Sequence, residues 1–184
     1  MTEIALHILD IANNSTRAEA GNVDISIDAD SAKDTLTVTV ADDGKGMSEE
    51  LLAKVADPFA TTRTTRKVGL GIPLFKQAAE LTGGGLKIRS GLGKGTTVTA
   101  TFGLRHIDRV PLGDMGATMS TLIGGSPNTD FTLVFTSDGR EYRFSTKEVK
   151  DILGDVTIAS TEVLNYIEEM IDENIENIIG GQPI

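Results

Sequence analysis

The sequence predicts an α+β fold in which strands arrive as antiparallel hairpins and amphipathic helices cover them. Three observations lead there. Residues 22–40 form two runs of alternating apolar and polar side chains joined by a short turn, and residues 86–104 repeat that plan. Apolar side chains recur at three and four residues in 2–17, 72–82 and 160–179, the helical period. The strands come in adjacent pairs, unlike the strand–helix–strand alternation of a parallel α/β sheet.

The elements follow in order. Ile4, Leu6, Ile8, Leu9 and Ile11 mark a helix from Thr2 to Arg17. Asp10 and Asn14 share a face of it, with Arg17 close by and His7 three before Asp10. Alone, such a stripe reads first as a solvent-facing polar face. Val23, Ile25 and Ile27 alternate with Asp24, Ser26 and Asp28, then Leu36, Val38 and Val40 with Thr37 and Thr39. The second run ends in Asp42-Asp43-Gly44-Lys45-Gly46-Met47. Glycines at spacing two beside a carboxylate at a strand end suit a backbone that approaches a ligand closely. Ser48 then caps a short helix with Glu49 and Glu50 in its first turn.

Residues 57–67 show neither period. They combine four threonines with Arg63, Arg66 and Lys67 and suit either an exposed basic loop or a loop that binds phosphate. Gly69-Leu70-Gly71 precedes a helix with Pro73 in its first turn and Leu74, Phe75, Ala78, Ala79 and Leu81 as its core face. Backbone N–H groups at such a start form an anion site, although one Gly-x-Gly is weak evidence. Strands 86–90 and 96–104 flank a glycine turn. Beyond Leu104 the plan changes. A connection with a short helix (residues 105–128) leads to a hairpin around Asp138-Gly139 and then two helices. The last helix carries a stripe of Leu164, Ile167, Met170, Ile171, Ile175 and Ile178 among acidic residues. That stripe suits packing on its own domain, a second copy or a partner helix.

Composition narrows the class. The chain has 184 residues, enough for one ordinary domain with an appendage or two small ones. It has no Cys, which excludes a disulfide framework and thiolate metal sites. No apolar run reaches the length of a membrane span, and Glu3, His7 and Asp10 interrupt the N-terminal apolar stretch, so a cytoplasmic protein without a signal peptide is expected. Net charge is −10. Residues 105–184 hold 14 acidic and 6 basic side chains, an unfavourable balance for binding nucleic acid.

Taken in order, Asp10-x-x-x-Asn14, Asp42-x-Gly44-x-Gly46, Asp57-Pro58-Phe59 with Thr61-Thr62-Arg63, Gly69-x-Gly71 and Gly93-x-Gly95-Thr96 form a specific set. Over residues 1–104 the chain resembles the ATP-binding domain shared by histidine kinases, anti-sigma-factor kinases, type II topoisomerases, mismatch-repair ATPases and heat-shock chaperones, the Bergerat fold. The histidine-kinase branch is the nearest in look. The resemblance implies a two-layer α+β sandwich, with a mostly antiparallel sheet covered by helices on one face. Beyond it the pattern gives a small C-terminal αββα extension, in which residues 105–128 connect and residues 129–184, the hairpin and its helices, would serve partner binding or dimerisation.

The resemblance also implies roles. Asn14 would hold Mg²⁺, Asp10 would act as general base, and Arg17 would contact phosphate. Asp42 would accept from the adenine amino group beside Gly44, Gly46 and Met47. Phe59, Thr61, Thr62, Arg63 and Lys67 would form a lid, and Gly69, Leu70 and Gly71 would present N–H groups to phosphate. Thr96 would help fix the base. Position 10 is Asp where many members have Glu and histidine kinases often have Asn. Lys67 replaces a common glycine. Neither His7 nor His106 resembles a phosphoacceptor, so both read as structural. The expected activity is that of a stand-alone bacterial signalling kinase that uses ATP and Mg²⁺ on a partner protein. The alternative is an ATP-controlled binding module. No nucleic-acid or membrane partner is expected.

Overall fold

In the first hairpin the alternation decides which face is buried. A computed structural model describes residues 2–55, 71–180 and 184. Strand β1 (Asn22–Asp30) pairs antiparallel with β2 (Thr35–Asp42), so that Ile25 meets Val40 and Ile27 meets Val38 on one face. Those four are essentially inaccessible, whereas Asp24, Ser26 and Asp28 face solvent. β4 (Thr96–Gly103) continues the pattern beside β2, and β3 (Gly85–Ser90) forms the edge.

The C-terminal hairpin joins this same sheet. β5 (Asp130–Ser137) pairs with β6 (Arg140–Ser145) across a turn in which Asp138 and Gly139 have φ of 47° and 83°. Two consecutive left-handed residues match the twist of a tight hairpin. β5 then lies parallel to β1, with Ile25 opposite Leu133 and Ile27 opposite Phe135. The sheet order is β3-β4-β2-β1-β5-β6, antiparallel except at β1–β5. Without β5, β1 would be an edge with a row of unpaired backbone groups. A parallel neighbour needs a crossover, and helix α4 (Met115–Gly125) lies in it.

Helix α1 (Ile4–Arg17) packs beside α4 and α3 (Gly71–Glu80), and α4 packs on α6 (Thr161–Ile179). Short helices α2 (Glu49–Val55) and α5 (Thr146–Leu153) complete the set. The α6 stripe turns inward: Ile167, Ile171, Ile175 and Ile178 are buried in the chain's own core. The surface suggested for a second copy is thereby covered, and the exposed face of α6 carries Glu162, Glu169, Glu173 and Glu176. One core expectation needs correction. Leu74 and Leu81 on and after α3 are exposed, because Phe75 and Ala79 one turn apart take the inward face. The segment after the hairpin is a pair of helices, α5 and α6, at the places the apolar pattern gave them.

Candidate functional site

The apolar stripe of α1 runs Ile4, Ile8, Ile11 and then Ser15, which puts a hydroxyl where the spacing asks for a hydrocarbon. Ser15 is buried, and such a group must find a partner. Its Oγ donates to Asp42 Oδ2 at 2.6 Å. Asp42 sits at the last position of β2, opposite Val23 and Thr96. Its Oδ1 accepts from Gly44 N at 2.9 Å and Thr96 N at 3.2 Å. Three donors therefore hold the carboxylate in one orientation. A carboxylate offers about four lone-pair positions, so room for one more donor remains.

That donor would come from a cavity of about 890 Å³ between α1, the strand ends and α2. Asn14, Arg17, Asp42, Gly46, Met47 and Thr96 line it. Its apolar wall comes from Ile11, Ile72, Val98, Leu51 and Val55, a partition typical of small-molecule sites. Arg17 Nη1 reaches Asn14 Oδ1 at 3.5 Å.

The loop after Asp42 is strapped down on both sides. Lys45 N donates to Ala18 O at 2.9 Å, and Gly93 N donates to Lys45 O at 2.8 Å. Met47 N donates to Ser90 Oγ at 2.8 Å. Gly46 has φ of 65°, and a Cβ there would lie 1.9 Å from Gly91 O, so both the angle and the space require glycine. Lys45 is ion-paired with Glu19 at the cavity rim. Asp43 is exposed, as the turn suggested, but it has partners. It accepts from Gly21 N, Asn22 N and Asn22 Nδ2 at 2.7–2.9 Å, and these bonds hold its carboxyl below the usual range.

Asp10 lies one turn before Asn14 and outside the cavity wall. A Cβ on Gly71 would stand 1.7 Å from Asp10 Oδ2, so the carboxylate rests against the first residue of α3. His7, one turn earlier, is buried and stacks on Phe75 with ring centroids 4.9 Å apart. Neither ring nitrogen has a partner among the described residues, and burial lowers its pKa to about 4. A neutral imidazole packed as an aromatic fits the structural reading. Phe59, Thr61, Thr62, Arg63, Lys67, Gly69 and Leu70 lie outside the described residues.

Ser15, Ser90, Lys45 and the apolar wall were not singled out from the sequence. Ser15 had a signal, a hydroxyl in register with an apolar stripe. Ser90 had none, because its role depends on a loop 43 residues away.

A two-layer sandwich whose covering helix and strand ends enclose a cavity around a fixed aspartate is the architecture that the ordered motifs implied. Residues 2–106 match the family described as histidine kinase-, DNA gyrase B-, and HSP90-like ATPases, and the chain belongs to that family. It is 34% identical over 113 residues to the non-motile and phage-resistance protein of Caulobacter vibrioides, covering 58% of this chain and 13% of that protein. It is 36% identical over 89 residues to the sensor histidine kinase WalK of Bacillus subtilis, covering 46% of this chain and 15% of that kinase. The chain thus spans under a fifth of the length of these relatives. Among solved structures, the N-terminal domain of a DNA repair protein superposes with a TM-score of 0.55 at 12% identity, over 86% of this chain and 59% of that one. That likeness concerns the fold alone, and it necessarily extends past residue 106. No helix among the described residues is long and apolar enough to cross a membrane.

Proposed function

We propose that the chain binds ATP with Mg²⁺ and acts as a cytoplasmic regulatory kinase that passes the γ-phosphate to a partner protein. The observation that carries the reading is Asp42, a carboxylate fixed by Ser15, Gly44 and Thr96 with one acceptor position left for an amino group. Discrimination at such a site is large, because a ligand without the donor leaves a buried acceptor unmet. Asn14 suits Mg²⁺: its amide oxygen is a hard ligand beside the cavity, and the ion commonly takes only one or two protein ligands. Bound there, the ion would neutralise phosphate charge. Arg17 and the lid residues Thr61, Thr62, Arg63 and Lys67 would hold the phosphates, and Asp10 would accept the proton of the attacking hydroxyl. Transfer forms a bond from the acceptor atom to the γ-phosphorus, breaks the bond to the β–γ bridging oxygen and releases ADP. Residues 105–184 would recognise the partner.

Calorimetric titration with ATP and ADP, with and without Mg²⁺, tests the first step. Micromolar binding that weakens about tenfold or more in Asp42→Asn is expected, and absence of adenine-nucleotide binding overturns the reading. Incubation with γ-labelled ATP and candidate partners tests the second: label should move in wild type and stop in Asp10→Asn. The acidic outer face of α6 favours an alternative, an ATP-controlled binding module. In that case partner affinity changes with ATP–Mg²⁺ while no label moves.

A further inference from the structure

A second cavity, of about 640 Å³, opens at the opposite end of the same strands. Asp42 pairs with Val23 near the start of β1, and this cavity touches Ala29 near its end, about 20 Å away at ~3.3 Å per residue. Its polar wall is Ser31, Arg105, His106, Arg109, Ser137 and Asp138. Residues 105–184 hold only 6 basic side chains against 14 acidic, yet two of the six meet here beside a histidine.

The donors in this wall are only partly used. Arg109 gives Nε to Leu104 O at 2.7 Å and Nη1 to Val110 O at 3.2 Å. A guanidinium carries five N–H groups, so most of its fork remains. No carboxylate among the described residues pairs with it, and burial lowers its pKa. Ser137 is 3% exposed, and no hydrogen bond joins its hydroxyl to another described residue. A polar side chain so buried, and lining a cavity, calls for a partner in that cavity. His106 Nδ1 accepts from Asp108 N at 3.2 Å, which leaves Nε2 to donate. Arg105 is mostly exposed and reaches Ser31 O at 3.4 Å and Asp34 at 3.6 Å. The one acidic side chain among the described residues of the wall is already engaged: Asp138 accepts Ser31 N and Ser31 Oγ, both at 2.8 Å.

We propose that this cavity binds a phosphomonoester, with Arg109, Arg105, His106 and the Ser137 hydroxyl donating to the phosphate oxygens and Ala29, Leu104 and Ile184 flanking its organic part. Guanidinium forks with a hydroxyl suit a multiply charged oxyanion better than a neutral ligand. The site is separate from the nucleotide cavity and does not rest on that reading.

Amide chemical shifts of the whole chain, followed during titration with inorganic phosphate and with O-phosphoserine, test it. Shifts at Ser31, Arg105, His106 and Ser137 are expected, with affinity about tenfold or more weaker in Ser137→Ala and in Arg105→Gln. Neither substitution touches the Arg109 bonds to backbone, and unchanged amide shifts away from the cavity in the unliganded variants separate loss of binding from a folding defect. Stronger binding of O-phosphoserine than of phosphate supports a phosphomonoester, and stronger binding of inorganic phosphate overturns it. Shifts confined to the nucleotide cavity, equal affinity in both variants, or no shifts at millimolar ligand overturn the proposal.

Discussion

Helices α1 and α6 are both amphipathic, and they treat polar groups in opposite ways. α1 buries His7 and Ser15 and leaves Asp10 and Asn14 half-covered, while α6 buries four isoleucines and turns four of its five glutamates to water. Burying a polar group costs free energy unless it is partnered, so a helix that draws several inward does so at some expense to stability. On α1 the outcome is Asp42 held by Ser15 and a cavity edged by Asn14 and Arg17. On α6 it is a packed seam against α4 and the β5–β6 end of the sheet. The contrast separates a helix that builds a site from one that holds the frame.

The largest effect expected tests the frame. Ile171→Ala should cost about 2–5 kcal/mol, read as a lower denaturation midpoint, because the site is fully buried. Nucleotide affinity of the folded variant should stay unchanged. A loss of affinity equal to that of Asp42→Asn would erase the distinction between the two helices.

Acid should act on α1 next. His7 titrates near 4 in the fold against 6.5 unfolded, so the unfolded chain binds more protons between those values. Stability therefore falls as pH drops from about 6.5 to about 4, by about 3 kcal/mol in all. His7→Leu should flatten that limb of the stability–pH curve and stabilise the protein near neutrality, since two buried nitrogens without a partner among the described residues leave the core. An unchanged acid limb would show that His7 is not the group responsible.

At the cavity, Asp42→Asn should weaken nucleotide binding by about 1.5–3 kcal/mol, seen calorimetrically, with a smaller change in melting temperature than Ile171→Ala. The reverse order of effects would assign Asp42 to the frame.

The smallest effect comes from a half-buried acid on the inner side of α6. Asp172 accepts Gly116 N at 2.9 Å, and burial pushes its pKa up. The folded chain then binds more protons just above the ordinary carboxylate range, and this contribution to stability declines as pH rises through that window. Asp172→Asn should remove the decline. Its slope opposes that of His7, so the double variant with His7→Leu should show the flattest profile.

Much of the fold was legible because it is written in short-range periods. Alternation at Val23–Ile27 and Leu36–Val40 named both the strands and their inward faces. Asp138-Gly139 named a hairpin, since few residues accept two left-handed conformations in a row. The motif order named the family, with Asn14, Arg17, Asp42, Gly46, Met47 and Thr96 brought to one cavity. Spacing within α1 put Asp10 on the same face as Asn14 but could not say that it rests against Gly71.

What the sequence alone determined is therefore local: which segments are helix or strand, which face of each is apolar, and which backbone positions demand glycine. Only the tertiary structure decided that β5 lies beside β1, more than a hundred residues away, and makes one sheet of two halves. It also decided that α6 spends its stripe inside the chain and that Ser15 steadies Asp42. These outcomes depend on satisfying a strand edge, covering an apolar face and partnering a buried hydroxyl. Each is met by whichever distant segment fits, and no local period encodes that choice.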